Sequence, residues 1–299
     1  MSEIEKDNEE LEEKEGHKKK HHFLNFLIFI VVLLVGCVFY SKYVGIKGLI
    51  VKEYRVESSI LTENFSGIKI VHFSDLLYKS TVNSEDIKNL VNKINELRPD
   101  IVVFTGDLVI KGAKISSKDK EMLINELSSI KASIGKYAIN GDNDYFYSDY
   151  NEVMNRSDFK VLNNQYEEIF YKTNESLYIV GLPCSFKDKI NLDEAFKFYS
   201  DENRHYIIVL AHDGKTLKYL DESTYEVDLV LLGHSLNGSV VIPFYGGLFV
   251  DENSYKYYGE HYEKGITNIY VSSGLGTLKY KYRFMNKPSF NLYRLKAQS

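Results

Sequence analysis

The sequence predicts a layered α/β fold, and three observations support this prediction. Apolar runs rich in β-branched residues alternate with segments of helical periodicity, as strands and helices do in α/β proteins. The chain has 299 residues and is 44% hydrophobic, so it can fill a sizeable core. Polar residues follow directly after several of the predicted strands. We therefore predict one α/β domain over residues 56–299, preceded by segments of different composition.

Residues 1–22 are predicted to form a disordered cytoplasmic tail that is first acidic and then basic. Its first 16 positions are dominated by Glu and Asp with almost no apolar residue, and Lys18, Lys19 and Lys20 follow. Such a segment has too little apolar surface to offset the entropy of ordering.

Residues 23–41 are predicted to form a transmembrane helix. From Phe23 to Tyr40 the chain is apolar apart from Asn25, and a helix over this stretch spans about 27 Å, close to the thickness of the hydrocarbon core. The lysines before it outnumber those after it, so the positive-inside rule places the amino end in the cytoplasm. The protein is then a single-pass protein of the cytoplasmic membrane, with an extracytoplasmic body joined by a juxtamembrane connection over residues 42–55.

A lipoprotein is the alternative form of membrane attachment. The sequence Leu34-Val35-Gly36-Cys37 resembles a lipoprotein cleavage box, with Cys37 as the lipidated residue. The acidic leader is long for such a signal, and the chain stays apolar after Cys37, so the transmembrane helix is favoured. Both alternatives attach the protein to a membrane. The net charge of −5, without a basic stripe in the body, argues against a nucleic-acid partner.

The elements of the body follow from its hydrophobic pattern. Strands are predicted at residues 50–58, 68–73, 101–105, 137–140, 177–181, 206–211, 227–232, 239–242, 248–251, 268–272 and 289–294. One amphipathic helix is predicted to be capped by Ser84 and to end before Pro99, and a second surrounds Leu123 and Leu127.

Candidate ligands follow the carboxyl ends of five of these strands. They are Asp75, Asp107, Asp142, His212 and His234. Taken singly, each is more often a turn, cap or buried polar residue than a ligand. Together they lie where the loops of an α/β sheet converge and ligands bind, so we expect them to form one site.

The motifs around these residues resemble those of the calcineurin-like metallophosphoesterases. They are 72–77 (HFSDLL), 105–107 (TGD), 141–144 (GDND) and 233–238 (GHSLNG), where the family has Asp-x-His, Gly-Asp, Gly-Asn-His-Asp and Gly-His-x-His. The similarity runs from about Ile50 to the end and is strongest to the bacterial membrane-anchored branch. It implies a four-layer αββα sandwich of two mixed β-sheets flanked by helices, and metal-dependent hydrolysis of a phosphoester.

The resemblance also assigns metal ligands. Family chemistry uses two metals bridged by one carboxylate, here Asp107. The first metal would keep Asp75, but the two histidines that complete its site in the family are replaced by Leu77 and Leu236, which offer no ligand atom. A second metal ion at this first site would therefore be held only weakly.

The second metal keeps a complete set of ligands in this comparison. These are Asp107, Asp142 in place of the family Asn, His212 and His234, which suit Zn²⁺, Mn²⁺ or Fe²⁺. We therefore expect one divalent transition metal as cofactor.

Asn143 replaces a family histidine that helps to protonate the leaving group. An amide is no general acid near neutral pH, so about a hundred-fold or more of rate is expected to be lost. Two hypotheses follow: a phosphoester hydrolase of reduced activity with one metal, or an inactive relative that serves as a ligand-binding or protein-interaction module. In either case the ligand is expected to be a phosphorylated small molecule or an envelope lipid.

Overall fold

The computed structural model describes residues 3–200, 202–254, 256–278 and 280–298. In chain order its strands are β1 (Ile50–Ser58), β2 (Lys69–Phe73), β3 (Ile101–Phe104), β4 (Gly135–Ala138), β5 (Lys160–Val161), β6 (Gln165–Phe170), β7 (Ser176–Gly181), β8 (Tyr206–Leu210), β9 (Leu229–Leu232), β10 (Val241–Ile242), β11 (Gly246–Gly247), β12 (His261–Lys264), β13 (Thr267–Val271) and β14 (Ser289–Ala297). The α-helices are α1 (Glu3–Tyr43), α2 (Ser84–Leu97), α3 (Ser117–Ser128), α4 (Tyr150–Arg156), α5 (Leu192–Ala195) and α6 (Leu217–Asp221).

The strands form two mixed sheets and one short hairpin. Within the described ranges, the first sheet has the order β1-β14-β2-β3-β4-β5 and the second the order β12-β13-β9-β8-β7-β6. Strand β14 lies between β1 and β2, parallel to the former and antiparallel to the latter. Strands β10 and β11 pair as the hairpin.

Three apolar cores separate four layers. Along β2, Ile70 points into the core between the two sheets, whereas Val71 points into the core beneath α2, α3 and α4. A third core packs the outer face of the second sheet, including Val209, against α5 and α6. Because the central strands are buried on both faces, they appear in the sequence as continuous apolar runs. The αββα sandwich predicted from the sequence is confirmed.

Helix α2 begins one residue earlier than the sequence predicts. The Asn83 side chain accepts hydrogen bonds from the backbone N–H groups of Glu85 and Asp86, and the Asp86 carboxylate accepts one from the Asn83 backbone. This capping box makes Asn83 the cap, and Ser84 is already helical. The prediction of Ser84 as cap was wrong because Asn caps a helix as well as Ser does and stands directly before it.

The strand predicted at residues 248–251 is wrong. Pairing in the hairpin stops at Gly247, and Phe249 N–H turns to the carbonyl of Gly238. Asp251 then accepts hydrogen bonds from the backbone N–H groups of Asn253 and Ser254, which closes a turn instead of extending a strand. Several short or half-exposed elements were not predicted from the sequence: β5, β6, β11, β12, α4, α5 and α6.

Helix α1 is longer than the predicted membrane span. It contains a segment, Lys20–Tyr43, that is long and apolar enough to cross a membrane, and this segment includes the predicted span 23–41. The helical backbone continues back to Glu3, where the sequence predicts a disordered tail. Glu and Lys are good helix formers and extend a helix that has already been nucleated, which accounts for the difference. Met1 and Ser2 lie outside the described residues.

Candidate metal centre

The five candidate ligands lie together at one edge of the sandwich, after β2, β3, β4, β8 and β9. They fall into two overlapping groups, in each of which the ligand atoms lie within 4.8 Å of one another. One group is Asp142, His212 and His234, and the other is Asp75, Asp107 and His212. The sequence therefore located the convergence of these side chains, whereas their role as ligands stays a prediction.

His212 is oriented so that one ring nitrogen faces the carboxylates. Its Nδ1 lies 2.7 Å from the carbonyl oxygen of Thr105, which can only accept a hydrogen bond, so Nδ1 carries a proton. Its Nε2 lies 3.3 Å from Asp142 Oδ1 and 3.6 Å from Asp107 Oδ1. The imidazole thus turns its remaining nitrogen toward both carboxylates, as a metal ligand requires.

His234 is held between two carboxylates. Its Nδ1 lies 3.2 Å from Asp142 Oδ1, and its Nε2 lies 2.9 Å from Asp251 Oδ2. Asp251 belongs to the segment wrongly predicted as a strand, so sequence reasoning missed it as a site residue. The only sequence signal was a carboxylate after the apolar run 248–250. A carboxylate on the far nitrogen of a histidine fixes its ring and makes the near nitrogen a better metal ligand.

We expect Asp251→Asn to weaken divalent metal binding by about ten-fold. Asparagine keeps one acceptor oxygen, which at the position of Oδ1 can still serve the turn and His234 Nε2, but it removes the negative charge that strengthens the imidazole. The measurement is competition titration of Mn²⁺ or Zn²⁺ with a chromogenic chelator on the full chain. Asp221→Asn is the matched control. It makes the same change in a carboxylate whose cationic partner is Lys264 instead of a residue of the centre. Equal affinity in both variants would contradict this role of Asp251.

The charges in the centre favour a bound cation. Burial lowers the pKa of His234, but hydrogen bonds to Asp142 and Asp251 outweigh burial and raise that pKa to about 10. Burial also lowers the pKa of His212, and the charge of Asp107 with hydrogen bonds to Asp107 and Asp142 raises it well above its ordinary range. The carboxylates thus stabilise positive charge at this position. A proton on each imidazole can supply that charge, and so can a divalent metal ion bound between the side chains.

Asp75 also fits a cation beside it. Burial raises the pKa of Asp75 to about 6. The negative charge of Asp107 acts in the same direction, and the positive charge of His212 opposes it. Its Oδ2 accepts a hydrogen bond from the backbone of His234 at 3.1 Å, while its buried Oδ1 has no hydrogen-bond partner among the described residues. An unsatisfied buried carboxylate oxygen is costly unless a proton, water or metal satisfies it.

The two leucines at the first-metal positions fill space next to Asp75. Leu77 and Leu236 are fully buried. A Cβ placed on Gly276 would lie 2.5 Å from Leu77 Cβ, and one placed on Gly274 would lie 2.7 Å from Leu236 Cδ2. Hydrocarbon therefore packs tightly against this glycine-containing loop where the family pattern has imidazoles.

Asn143 binds the predicted bridging carboxylate. Its backbone N–H donates to Asp107 Oδ1 at 2.8 Å, and its side-chain amide donates to Asp107 Oδ2. The amide is oriented by Lys111, whose backbone N–H donates to Asn143 Oδ1 at 2.9 Å. Both oxygens of Asp107 thus accept a hydrogen bond from Asn143. The ligand atoms of Asp142, His212 and His234, and those of Asp75, Asp107 and His212, are each close enough together to hold a metal ion.

Asp144 supports the loop without facing the centre. Its carboxylate accepts hydrogen bonds from the backbone N–H groups of Asp107, Leu108 and Gly141, each at 2.8 Å. It therefore fixes the turns that carry two of the candidate ligands.

Comparisons with known proteins give one consistent result. A family model described as calcineurin-like phosphoesterase matches residues 68–238. The chain is 30% identical to the uncharacterised metallophosphoesterase YkuE of Bacillus subtilis, over 86% of this chain and 89% of that protein. It is 26% identical to the UDP-2,3-diacylglucosamine pyrophosphatase LpxG of Chlamydia muridarum, over 76% of this chain and 83% of that protein. It is 25% identical to a transmembrane protein with metallophosphoesterase domain of Danio rerio, over 72% of this chain and 50% of that protein.

Proposed function

The chain belongs to the calcineurin-like phosphoesterase family, and we propose that it is a membrane-anchored phosphoester hydrolase that works with one divalent transition metal at reduced rate. One observation carries the proposal: the ligand atoms of Asp142, His212 and His234 converge within 4.8 Å. Two imidazoles and a carboxylate are a donor set that suits Zn²⁺, Mn²⁺ or Fe²⁺.

A metal held there would neutralise charge on a phosphoryl group and activate a water for attack. The protein itself orients the ligands, since Thr105 fixes the ring of His212 and Asp251 fixes that of His234. Asp142 is the most exposed of the three ligand side chains, so a phosphoryl group approaches from its side. Asn143 can donate a hydrogen bond but no proton, which leaves the leaving group without a general acid.

Two lysines lie on loops that contact residues of the centre. The Nζ atoms of Lys111 and Lys187 lie 3.9 Å and 4.7 Å from the centre of the Phe146 ring. Phe186, next to Lys187, packs edge-on against His234 at 5.8 Å between ring centroids. These ammonium groups support a phosphorylated ligand, either a small molecule or an envelope lipid. The name of the relative LpxG supports a diacylated ligand that contains phosphate.

The second candidate function is a ligand-binding or protein-interaction module without catalysis. The hydrocarbon of Leu77 and Leu236 beside Asp75, together with the hydrogen bonds of Asn143 to Asp107, favours it. Such a protein would hold metal and a phosphorylated ligand but would not turn over.

Metal content of the purified full chain is the first test. About one equivalent of divalent metal is expected, and a metal-free protein that also fails to bind added Mn²⁺ would contradict the hydrolase and the metal-binding form of the module. Hydrolysis of bis(p-nitrophenyl) phosphate with Mn²⁺ then separates them, because slow turnover supports the hydrolase and bound metal without turnover supports the module.

We further propose that the body lies outside the cytoplasmic membrane. The lysines before the apolar span support this orientation by the positive-inside rule. Protease added to intact cells is expected to digest the body, and a protected body would contradict the orientation.

A further inference from the structure

The edge of the first sheet that carries the metal centre is also the edge at which α1 enters. Ile50, the first residue of β1, pairs with Ser289 at the start of β14. Asn291, two residues further on, pairs with His72 near the end of β2. The beginning of β1 and the end of β2 therefore lie at the same edge, and Asp75 follows directly. The metal centre thus faces the side from which the apolar helix leaves the domain.

The last turn of α1 contacts the loop before β14. The backbone N–H of Arg283 donates to the carbonyl of Ser41 at 3.0 Å, and the rings of Tyr40 and Phe284 pack edge to face, with centroids 6.0 Å apart. Tyr40 ends the apolar stretch, where aromatic residues of a spanning helix lie at the membrane–water interface. When α1 spans a bilayer with Tyr40 at this interface, Phe284 lies at the same level.

An apolar surface continues from Phe284. The hairpin β10–β11 is joined to it, because Val241 N–H donates to the carbonyl of Phe284 at 2.9 Å. Around it lie exposed apolar and aromatic side chains, which we call the apolar rim: Phe244, Tyr245, Leu248, Phe249, Tyr280 and Met285. Tyr245 is 75% exposed and Met285 66%. Exposed apolar side chains grouped in this way, with the rings of Phe249 and Tyr280 stacked at 5.0 Å between centroids, mark an interaction site.

A groove lies between His234 of the metal centre and the apolar rim. Its volume is about 310 Å³. His234 and Asp251 line it together with Leu248, Phe249 and Tyr280 of the rim. A molecule in this groove contacts His234 of the metal centre and the hydrocarbon of the rim.

We propose that the apolar rim inserts into the interface of the bilayer crossed by α1, and that the groove takes a phosphorylated lipid from that bilayer. The continuity of the rim with the end of α1, through Phe284, commits the surface to a membrane instead of a second protein. Exposed Lys281 and Lys287 next to the rim suit an anionic lipid surface. The phosphate part of the proposal rests on the proposed function, whereas the docking of the rim does not.

The docking is tested by fluorescence, because the chain contains no tryptophan. The full-length variant Phe244→Trp is placed in nanodiscs of phosphatidylcholine and phosphatidylglycerol, with or without bromine on the acyl chains. We expect brominated lipid to quench its emission strongly. The matched control is Phe170→Trp, an exposed aromatic position that pairs with Ser176 at the start of β7, at the edge opposite the metal centre. Equal quenching of the two variants, or none in either, would overturn the docking.

The lipid ligand is tested with a second reporter in the groove, Leu248→Trp. In phosphatidylcholine nanodiscs with Mn²⁺, a small fraction of brominated phosphatidic acid is expected to quench this reporter more than the same fraction of brominated phosphatidylcholine. The added change His234→Ala is expected to abolish that preference. Equal quenching by the two lipids would overturn the lipid ligand. Failure of the proposed function has a different signature, namely no bound Mn²⁺ while the Phe244→Trp reporter is still quenched.

Discussion

His234→Ala is expected to weaken divalent metal binding by more than about 100-fold and to abolish the residual hydrolysis of bis(p-nitrophenyl) phosphate. Losing a group that only orients a ligand already weakens binding by about 10- to 100-fold, and His234 would itself be a ligand. The substitution removes one of two imidazoles and leaves Asp251 without its partner. Metal content by atomic emission and initial rates with Mn²⁺ measure the two effects on the full chain.

His261→Ala is the matched control for this prediction. His261 is exposed on β12 and contacts Asn268 and Tyr270, away from the centre. The His261→Ala variant should bind as much metal as the unchanged protein and hydrolyse the diester at the same rate. If His234→Ala also kept one equivalent of metal, the metal would lie elsewhere in the protein, and the proposed centre would be wrong.

The triple variant Leu77→His, Leu236→His and Asn143→His is expected to bind two equivalents of Mn²⁺ and to hydrolyse the same diester about a hundred-fold faster or more. The new imidazoles next to Asp75 supply the ligands that leucine lacks, and the third supplies a general acid. The backbone favours the change, because Leu77 and Leu236 have φ of 46° and 49°, a conformation in which His is far more common than bulky apolar residues.

Leu77→Met with Leu236→Met is the control for repacking. Methionine keeps the buried volume, and its soft thioether is a poor ligand for Mn²⁺. This variant should bind one equivalent and remain slow. A triple variant that folds, as judged by its circular dichroism spectrum, but still binds one equivalent would mean that the cleft around Asp75 has changed beyond its ligands.

The sequence was sufficient to locate the candidate centre because its residues follow buried strands. The ends of such strands are readable from apolar runs, and the carboxyl ends of neighbouring parallel strands meet at one edge. The sequence alone therefore predicts that five side chains lie together: Asp75, Asp107, Asp142, His212 and His234. Asp251 could not be predicted in this way, because it lies in a turn after a hairpin and its contact with His234 depends on tertiary packing.

Other differences have local causes. The residues of β6 and β12 are half-exposed and rich in charge, so their apolar pattern is weak, and each lies at the edge of a sheet. The losses at Leu77 and Leu236 were readable as missing ligands. The sequence did not reveal that both side chains pack against the loop of Gly274 and Gly276, because this packing depends on the position of the backbone and not on residue type.

The position of β14 determines the order in which the first sheet can be built during synthesis. This strand lies between β1 and β2, yet its residues leave the ribosome after those of every other strand. Until then β1 lacks its only neighbour among the described strands, and one edge of β2 stays open. Such long-range pairing slows folding and exposes strand edges to other chains. A chain stopped before Ser289 would therefore carry the apolar helix α1 together with an unfinished and aggregation-prone sheet.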